Sequence, residues 1–131
     1  MSLEPLCVQD GGCSTDGADP EQVRALGRRV LRPLRERAKA LGYALAAHGS
    51  QERDIDLVAI PWTARACSPE ALANSLRQVL SDLYVIRLEI GPEATPPKPH
   101  GRLCWSFWIQ SWTYIDLSVM PPTVPDGEGA P

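Results

Sequence analysis

The strongest constraint on this 131-residue chain is a pair of aspartates that opens an apolar segment. Asp54 and Asp56 flank Ile55, and the apolar run 57–60 follows them directly. Side chains alternate along a strand, so both carboxylates would lie on one side of a sheet, about 6.6 Å apart at roughly 3.3 Å per residue. Burying two like charges without a cation is costly. The pattern therefore predicts that the two carboxylates either are exposed or hold a metal ion.

A third acid lies in a second strand-like segment near the end of the chain. Residues 114–120 alternate in character, and Ile115 and Leu117 would point away from the side that carries Asp116. If this segment pairs with the first, three carboxylates cluster. Oxygen ligands with few histidines suit Mg²⁺ or Mn²⁺ better than zinc. Two such ions, about 3.5–4 Å apart, would stabilise both oxygens of a phosphoryl displacement.

These residues carry a resemblance to a known family. Gly49-Ser50, then Asp54-x-Asp56, then a lone Asp116 on a later strand resembles the pattern of the DNA-polymerase-beta-type nucleotidyltransferase superfamily, and above all its minimal, single-domain members. The segment is also similar to small uncharacterised phage and prophage proteins that carry Gly-Ser-x-x-Arg-Asp-Ile-Asp-Leu. The resemblance covers about residues 20–120, although the specific motifs amount to about ten residues.

The resemblance implies a role for each motif residue. It implies that Gly49 and Ser50 contact the phosphates of a nucleoside triphosphate, and that Asp54 and Asp56 bind Mg²⁺ (or Mn²⁺). It implies that Asp116 completes the metal site and assists the incoming hydroxyl. The implied activity is metal-dependent transfer of a nucleotidyl group to an unidentified hydroxyl acceptor, which would be a protein side chain, an RNA end or a small molecule.

The link between the two motifs departs from the family pattern. Only Gln51, Glu52 and Arg53 separate Ser50 from Asp54, which predicts a tight corner and not a helix N-terminus aimed at a phosphate. Arg53 would neutralise Asp54, reach the triphosphate or form a surface ion pair. The short link favours an alternative function, a nucleotidyltransferase-like binding module that inhibits or recruits a protein or nucleic-acid partner. The cluster of Trp105, Trp108 and Trp112 also favours this alternative. One face of the cluster is expected to be core, and Trp108 or Trp112 would pack, contact a partner or stack on a base near the acids.

The periodicity of apolar residues predicts the order helix, strand, strand, helix, strand, strand, strand. The predicted fold class is α/β, a mixed β-sheet with helices packed on it. We expect a flexible N-terminal segment at 1–18, a nucleotidyltransferase-like domain at 19–120 and a disordered tail at 121–131. Pro33 predicts a kink in the first helix, or two shorter helices. The run 57–60 predicts a central strand covered on both faces, and 84–90 predicts another strand.

Charge and hydropathy bound the function further. The net charge is −3, and no apolar run approaches the ~20 residues that span a bilayer. The N-terminus does not resemble a signal peptide. We therefore expect a cytoplasmic protein with free, mostly structural thiols and no membrane partner. Within this acidic chain, four arginines recur at helical spacing, which predicts either a track for a polynucleotide backbone or simply a solvated face: Arg24, Arg28, Arg32 and Arg35. Trp62, at the end of its strand, is expected to pack.

Overall fold

A computed structural model describes residues 13–96 and 98–122 of the chain. The order of elements is α1 (Pro20–Ala40), β1 (Tyr43–His48), β2 (Ile55–Pro61), α2 (Pro69–Leu83), β3 (Leu88–Ile90), β4 (Leu103–Gln110) and β5 (Thr113–Val119). Two short 3₁₀ turns, Pro92–Ala94 and Pro99–Gly101, lie between β3 and β4. The α/β class predicted from the sequence is confirmed.

Local sequence signals explain where both helices begin. The Asp19 carboxylate accepts a hydrogen bond from the Glu21 amide, and the Ser68 hydroxyl accepts one from the Ala71 amide. A proline follows each cap at the first helical position, where its missing N–H costs nothing. Helix α1 continues through Pro33, so the expectation of two shorter helices is wrong.

The five strands form one mixed sheet in the order β1-β2-β5-β4-β3. Strand β2 pairs parallel with β5, and the other three pairings are antiparallel. The parallel pairing places β5, the last strand of the chain, at the centre of the sheet beside β2. This is the pairing required by the hypothesis that Asp54, Asp56 and Asp116 cluster, which we call the three-acid hypothesis.

Helices α1 and α2 pack on the same face of the sheet, and the hydrophobic core lies between these helices and the sheet. Strand residues facing the helices are almost fully buried, among them Tyr43, Ile55, Leu57, Phe107 and Leu117. The opposite face, the open face, carries the alternate residues. The prediction that the strand at 57–60 is covered on both faces is wrong, because Ile60 is 49% exposed while Leu57 is 1% exposed.

The strand predicted at 84–90 is shorter than expected. Only Leu88–Ile90 forms a strand beside β4, although the Arg87 amide also donates to the Trp108 carbonyl, and the segment before Arg87 packs against the core. Tyr84 and Ile86 are partly buried there, whereas Val85 is 75% exposed. That alternation therefore reflects packing against the core rather than a strand ladder.

The structure describes little of the two chain ends, and it shows different states for different cysteines. The predicted loose segment 1–18 and tail 121–131 lie mostly outside the described residues. In the described part, the Ser14 amide donates to the Ser111 carbonyl. Cys67 and Cys104 are free thiols, as expected, whereas Cys13 is disulfide-bonded, which corrects the expectation for that residue. Neither α1 nor α2 is long and apolar enough to cross a bilayer.

Candidate functional site

A row of four polar residues crosses the open face of the sheet, one from each of four adjacent strands. His48 on β1 is paired with Asp56 on β2, and Asp56 is paired with Asp116 on β5. Asp116 is in turn paired with Ser106 on β4. Paired residues share a face, and neighbouring strands are about 4.8 Å apart. The fold therefore places Asp56 and Asp116 side by side, as the three-acid hypothesis predicted.

Asp116 is held in place by its neighbour on β4. The Ser106 hydroxyl donates a hydrogen bond to Asp116 Oδ1 over 3.0 Å. This bond fixes one carboxylate oxygen of a half-buried side chain and leaves the second oxygen available for another ligand. Ser106 is thus a positioning residue of the acid row.

The carboxyl group of Asp56 has a raised pKa. Burial raises the pKa of its carboxyl to about 6, with further contributions from the charges of Asp54 and Asp116, while His48 acts in the opposite direction. Both neighbouring acids thus disfavour the ionised form of Asp56. A cation bound among these carboxylates would relieve that repulsion.

Asp54 lies one residue before β2, in the turn, and closes one side of the site. It hydrogen-bonds the phenol of Tyr114, whose pKa is raised by burial first and then by this bond and the nearby acids. The Tyr114 ring also contacts Trp108, with ring centroids 4.6 Å apart and planes tilted by 39°. Trp108 is buried on the open face, so the two rings form an aromatic wall beside the acids.

The Gly-Ser corner is packed directly against Asp56. Gly49 has φ +82°, and a Cβ added there would be 3.0 Å from Asp56 Oδ2, so this position favours glycine both for its conformation and for its space. The next residues form a turn without a helix, as the short link predicted. Gln51, at φ +56°, lies against α1 where Gly27 leaves room for its side chain.

The two remaining predicted phosphate contacts lie at the rim. Ser50 and Arg53 are exposed, and neither side chain bonds another residue within 13–96 or 98–122. The backbone of Arg53 is anchored, because its carbonyl accepts a hydrogen bond from the Thr113 hydroxyl over 3.0 Å. Both side chains are therefore exposed in the link that precedes β2.

The acids suit a hard divalent cation for two reasons. Their oxygens are the right kind of ligand, and the strand register places Asp56 beside Asp116. Asp56, Asp116 and Asp54 supply carboxylate oxygens, and the Ser106 hydroxyl adjoins them, which is the donor set that Mg²⁺ and Mn²⁺ prefer. In the described ranges, no three His, Cys, Asp or Glu side chains already converge on one point. The carboxylates would have to rotate toward a bound ion.

Sequence reasoning missed Ser106 and Tyr114. Tyr114 had a detectable signal, since it lies two residues before Asp116 and so shares its face. Ser106 had none, because its role depends on which strand pairs with β5. Of the tryptophans, Trp105 is in the core and Trp108 faces the acids, whereas Trp62 is 60% exposed, so the expectation that it packs is wrong.

Comparison with known proteins does not identify the family. No protein-family model matches the chain, and no curated protein matches it.

The raised pKa of Asp56 predicts a pH dependence of stability. Its pKa is about 6 in the folded protein and about 3.9 in an unfolded chain, so the folded state holds the proton more tightly. The contribution of this proton to the free energy of unfolding is complete below pH 4 and is lost as pH rises through 6. After allowance for solvent screening, we expect a loss of about 1 kcal/mol. In EDTA, the unfolding free energy of wild type relative to Asp56→Asn should fall by that amount between pH 4 and pH 8. A constant difference would contradict the assignment.

Proposed function

We propose that this protein transfers a nucleotidyl group from a nucleoside triphosphate to an acceptor hydroxyl, with Mg²⁺ or Mn²⁺ as cofactor. The observation that carries the proposal is the in-register, parallel pairing of Asp56 with Asp116 on one open face. Burial and the charges of Asp54 and Asp116 raise the pKa of Asp56, and a bound cation would favour its ionised form.

Each residue of the site has a place in this reaction. Asp54, Asp56 and Asp116 would hold the metal, which supplies charge stabilisation at the phosphate oxygens. Ser50 and Arg53, exposed in the link that leads to Asp54, would contact the phosphate groups. The Gly49 turn brings the backbone close to Asp56 without a side chain in the way.

The proposed step is a displacement at the α-phosphorus. The acceptor oxygen forms a new bond to the α-phosphorus, while the bond from that phosphorus to the oxygen bridging to the β-phosphate breaks, and pyrophosphate leaves. The hydroxyl proton passes to Asp116, whose carboxylate is oriented by Ser106. The protein contributes mainly position and charge, as in phosphoryl transfer generally.

A second function is favoured by the Gly-Ser corner. No helix N-terminus follows Ser50, so the corner lacks the set of free amides that such a terminus offers to a phosphate. A nucleotidyltransferase-like module that has lost catalysis and binds a protein or nucleic-acid partner would tolerate that change. Such a module would not need all three acids.

Incubation with each α-³²P-labelled nucleoside triphosphate separates the two functions. We expect label to be transferred to a hydroxyl acceptor (the protein itself, a short RNA or a small polyol) in Mg²⁺ but not in EDTA. Asp116→Asn should abolish transfer, whereas Asp82→Asn, an exposed aspartate on α2, should not. Partner binding that survives alanine at all three acids, without transfer or nucleotide binding, would favour the binding module.

A further inference from the structure

Helix α1 concentrates positive charge in an acidic protein. It carries seven Arg or Lys residues and two Glu residues, a charge of +5, while the whole chain carries −3. The rest of the chain therefore carries a net charge of −8, and seven of the 13 Lys and Arg residues lie in this one helix.

Five of these cations form a single stripe, which we call the basic stripe: Arg24, Arg28, Arg32, Arg35 and Lys39. At 3.6 residues per turn they fall within about a quarter of the helix circumference, and they extend over about 22 Å. All five residues are exposed. The buried face of α1 points elsewhere, through Val23, Val30 and Leu34.

The basic stripe follows the β1 edge of the sheet and begins near the acid site. At one end Arg24 lies 3.4 Å from Glu52, in the corner that leads to Asp54. Further along, Arg35 Nε donates to the Leu45 carbonyl on β1 over 3.1 Å. A polynucleotide bound along this stripe would therefore have one end at the corner that leads to Asp54.

The opposite end of the stripe holds an exposed aromatic ring. Trp62 is 60% exposed, and its amide is anchored to the Gly42 carbonyl over 3.0 Å. A groove of about 290 Å³ is lined there by Arg35, Lys39, Tyr43, Ala44, Leu45 and Trp62. An aromatic face for a base together with cations for phosphates is the combination that single-strand binders use.

The positive charge of the stripe is only weakly neutralised. Its two ion pairs, Arg24 with Glu52 and Arg32 with Glu36, are exposed and 3.4 Å long, and such pairs contribute little. The side chains of Arg28 and Lys39 contact no carboxylate in the described part of the chain. The stripe can therefore exchange these partners for phosphate groups.

We propose that the basic stripe and Trp62 bind a single-stranded polynucleotide and present its terminal hydroxyl to the acid site. This inference rests on the proposed function, for which it names the acceptor class. At the 3.4 Å spacing of a stacked strand, the stripe accommodates about six phosphates. The exposed Trp62 face selects an unpaired strand over a duplex, because bases in a duplex are not free to stack on it.

Fluorescence anisotropy with a labelled 12-nucleotide oligouridylate, in EDTA, tests binding without the reaction. If the five cations neutralise five phosphates of a single strand, the slope of log affinity against log salt should be about −3.5. Arg28→Gln/Lys39→Gln should weaken binding more than tenfold at 0.1 M salt and reduce the slope by about one. Trp62→Ala should weaken binding about tenfold and leave the slope unchanged.

A charge-matched control lies on other surfaces. Arg29→Gln/Arg77→Gln removes two arginines, one on another side of α1 and bonded to Tyr84, the other on α2 and paired with Glu89. This variant should bind like wild type.

Equal losses in the two double variants, no binding by wild type, or equal affinity for a 12-base-pair duplex would overturn the proposal. Equal competition by polyglutamate would do the same and would indicate an acidic protein partner.

The binding and transfer proposals fail in different ways. Asp56→Asn leaves the stripe unchanged and should bind the oligonucleotide like wild type. Oligonucleotide binding without any nucleotidyl transfer would refute the proposed function and leave the binding surface standing. Metal-dependent transfer to another acceptor, without oligonucleotide binding, would refute this inference alone.

Discussion

Replacing Asp56 by asparagine is expected to abolish nucleotidyl transfer and at the same time to stabilise the metal-free protein. Asparagine keeps the shape of the side chain but removes a charge that burial and two neighbouring acids disfavour. Without that repulsion, the melting temperature in EDTA at pH 8 should rise by about 4 °C, equivalent to about 1 kcal/mol. Transfer should fall about a thousandfold, because a metal ligand and its charge are lost.

The opposite signs of the two effects make this prediction specific. A variant that simply misfolds would lose both activity and stability. Asp82→Asn is the matched control and should change transfer by less than twofold. Undiminished transfer by Asp56→Asn would remove Asp56 from the metal site, and a large drop in melting temperature would show that its charge stabilises the fold.

The second large effect separates the two faces of β2. Leu57→Ala should cost about 2–5 kcal/mol, because Leu57 is 1% exposed between the sheet and the helices, and its truncation leaves a cavity. Ile60→Ala, on the open face of the same strand, should cost about 1 kcal/mol or less, since Ile60 is 49% exposed. Urea unfolding of both variants measures the difference.

This pair tests the architecture that exposes the acid site. If Ile60→Ala cost as much as Leu57→Ala, the open face would be covered by packing, and the acids would not be accessible from it. Circular dichroism of both variants in the absence of urea checks that they retain the native secondary structure.

Much of the fold could be predicted because its signals are local. Asp19-Pro20 and Ser68-Pro69 cap the two helices through bonds to amides two or three residues away. Strand β1 and the hairpin between β4 and β5 follow from alternation and the turn at 110–113. What failed depended on tertiary contacts: the exposed face of 57–60, and the packing of Tyr84 and Ile86, which resembled a strand.

The candidate site divides in the same way. Asp54, Asp56 and the Gly49 turn are neighbours in sequence, and their proximity follows from strand geometry. The place of Asp116 required a guess that its strand pairs with β2, which the parallel register confirms. Ser106 could not be found, because a single sequence does not show which strand lies on the far side of β5.

The central claim is that the acid row binds a nucleotide through a metal, and thermal unfolding with each nucleoside triphosphate tests it most directly. A ligand at a hundred times its dissociation constant stabilises the folded state by about 2.7 kcal/mol. We predict such a stabilisation of wild type by at least one nucleotide in Mg²⁺ or Mn²⁺, its loss in EDTA, and its absence in Asp56→Asn. A wild-type melting temperature that no nucleotide changes with either metal, or a shift that persists in Asp56→Asn, would contradict the claim.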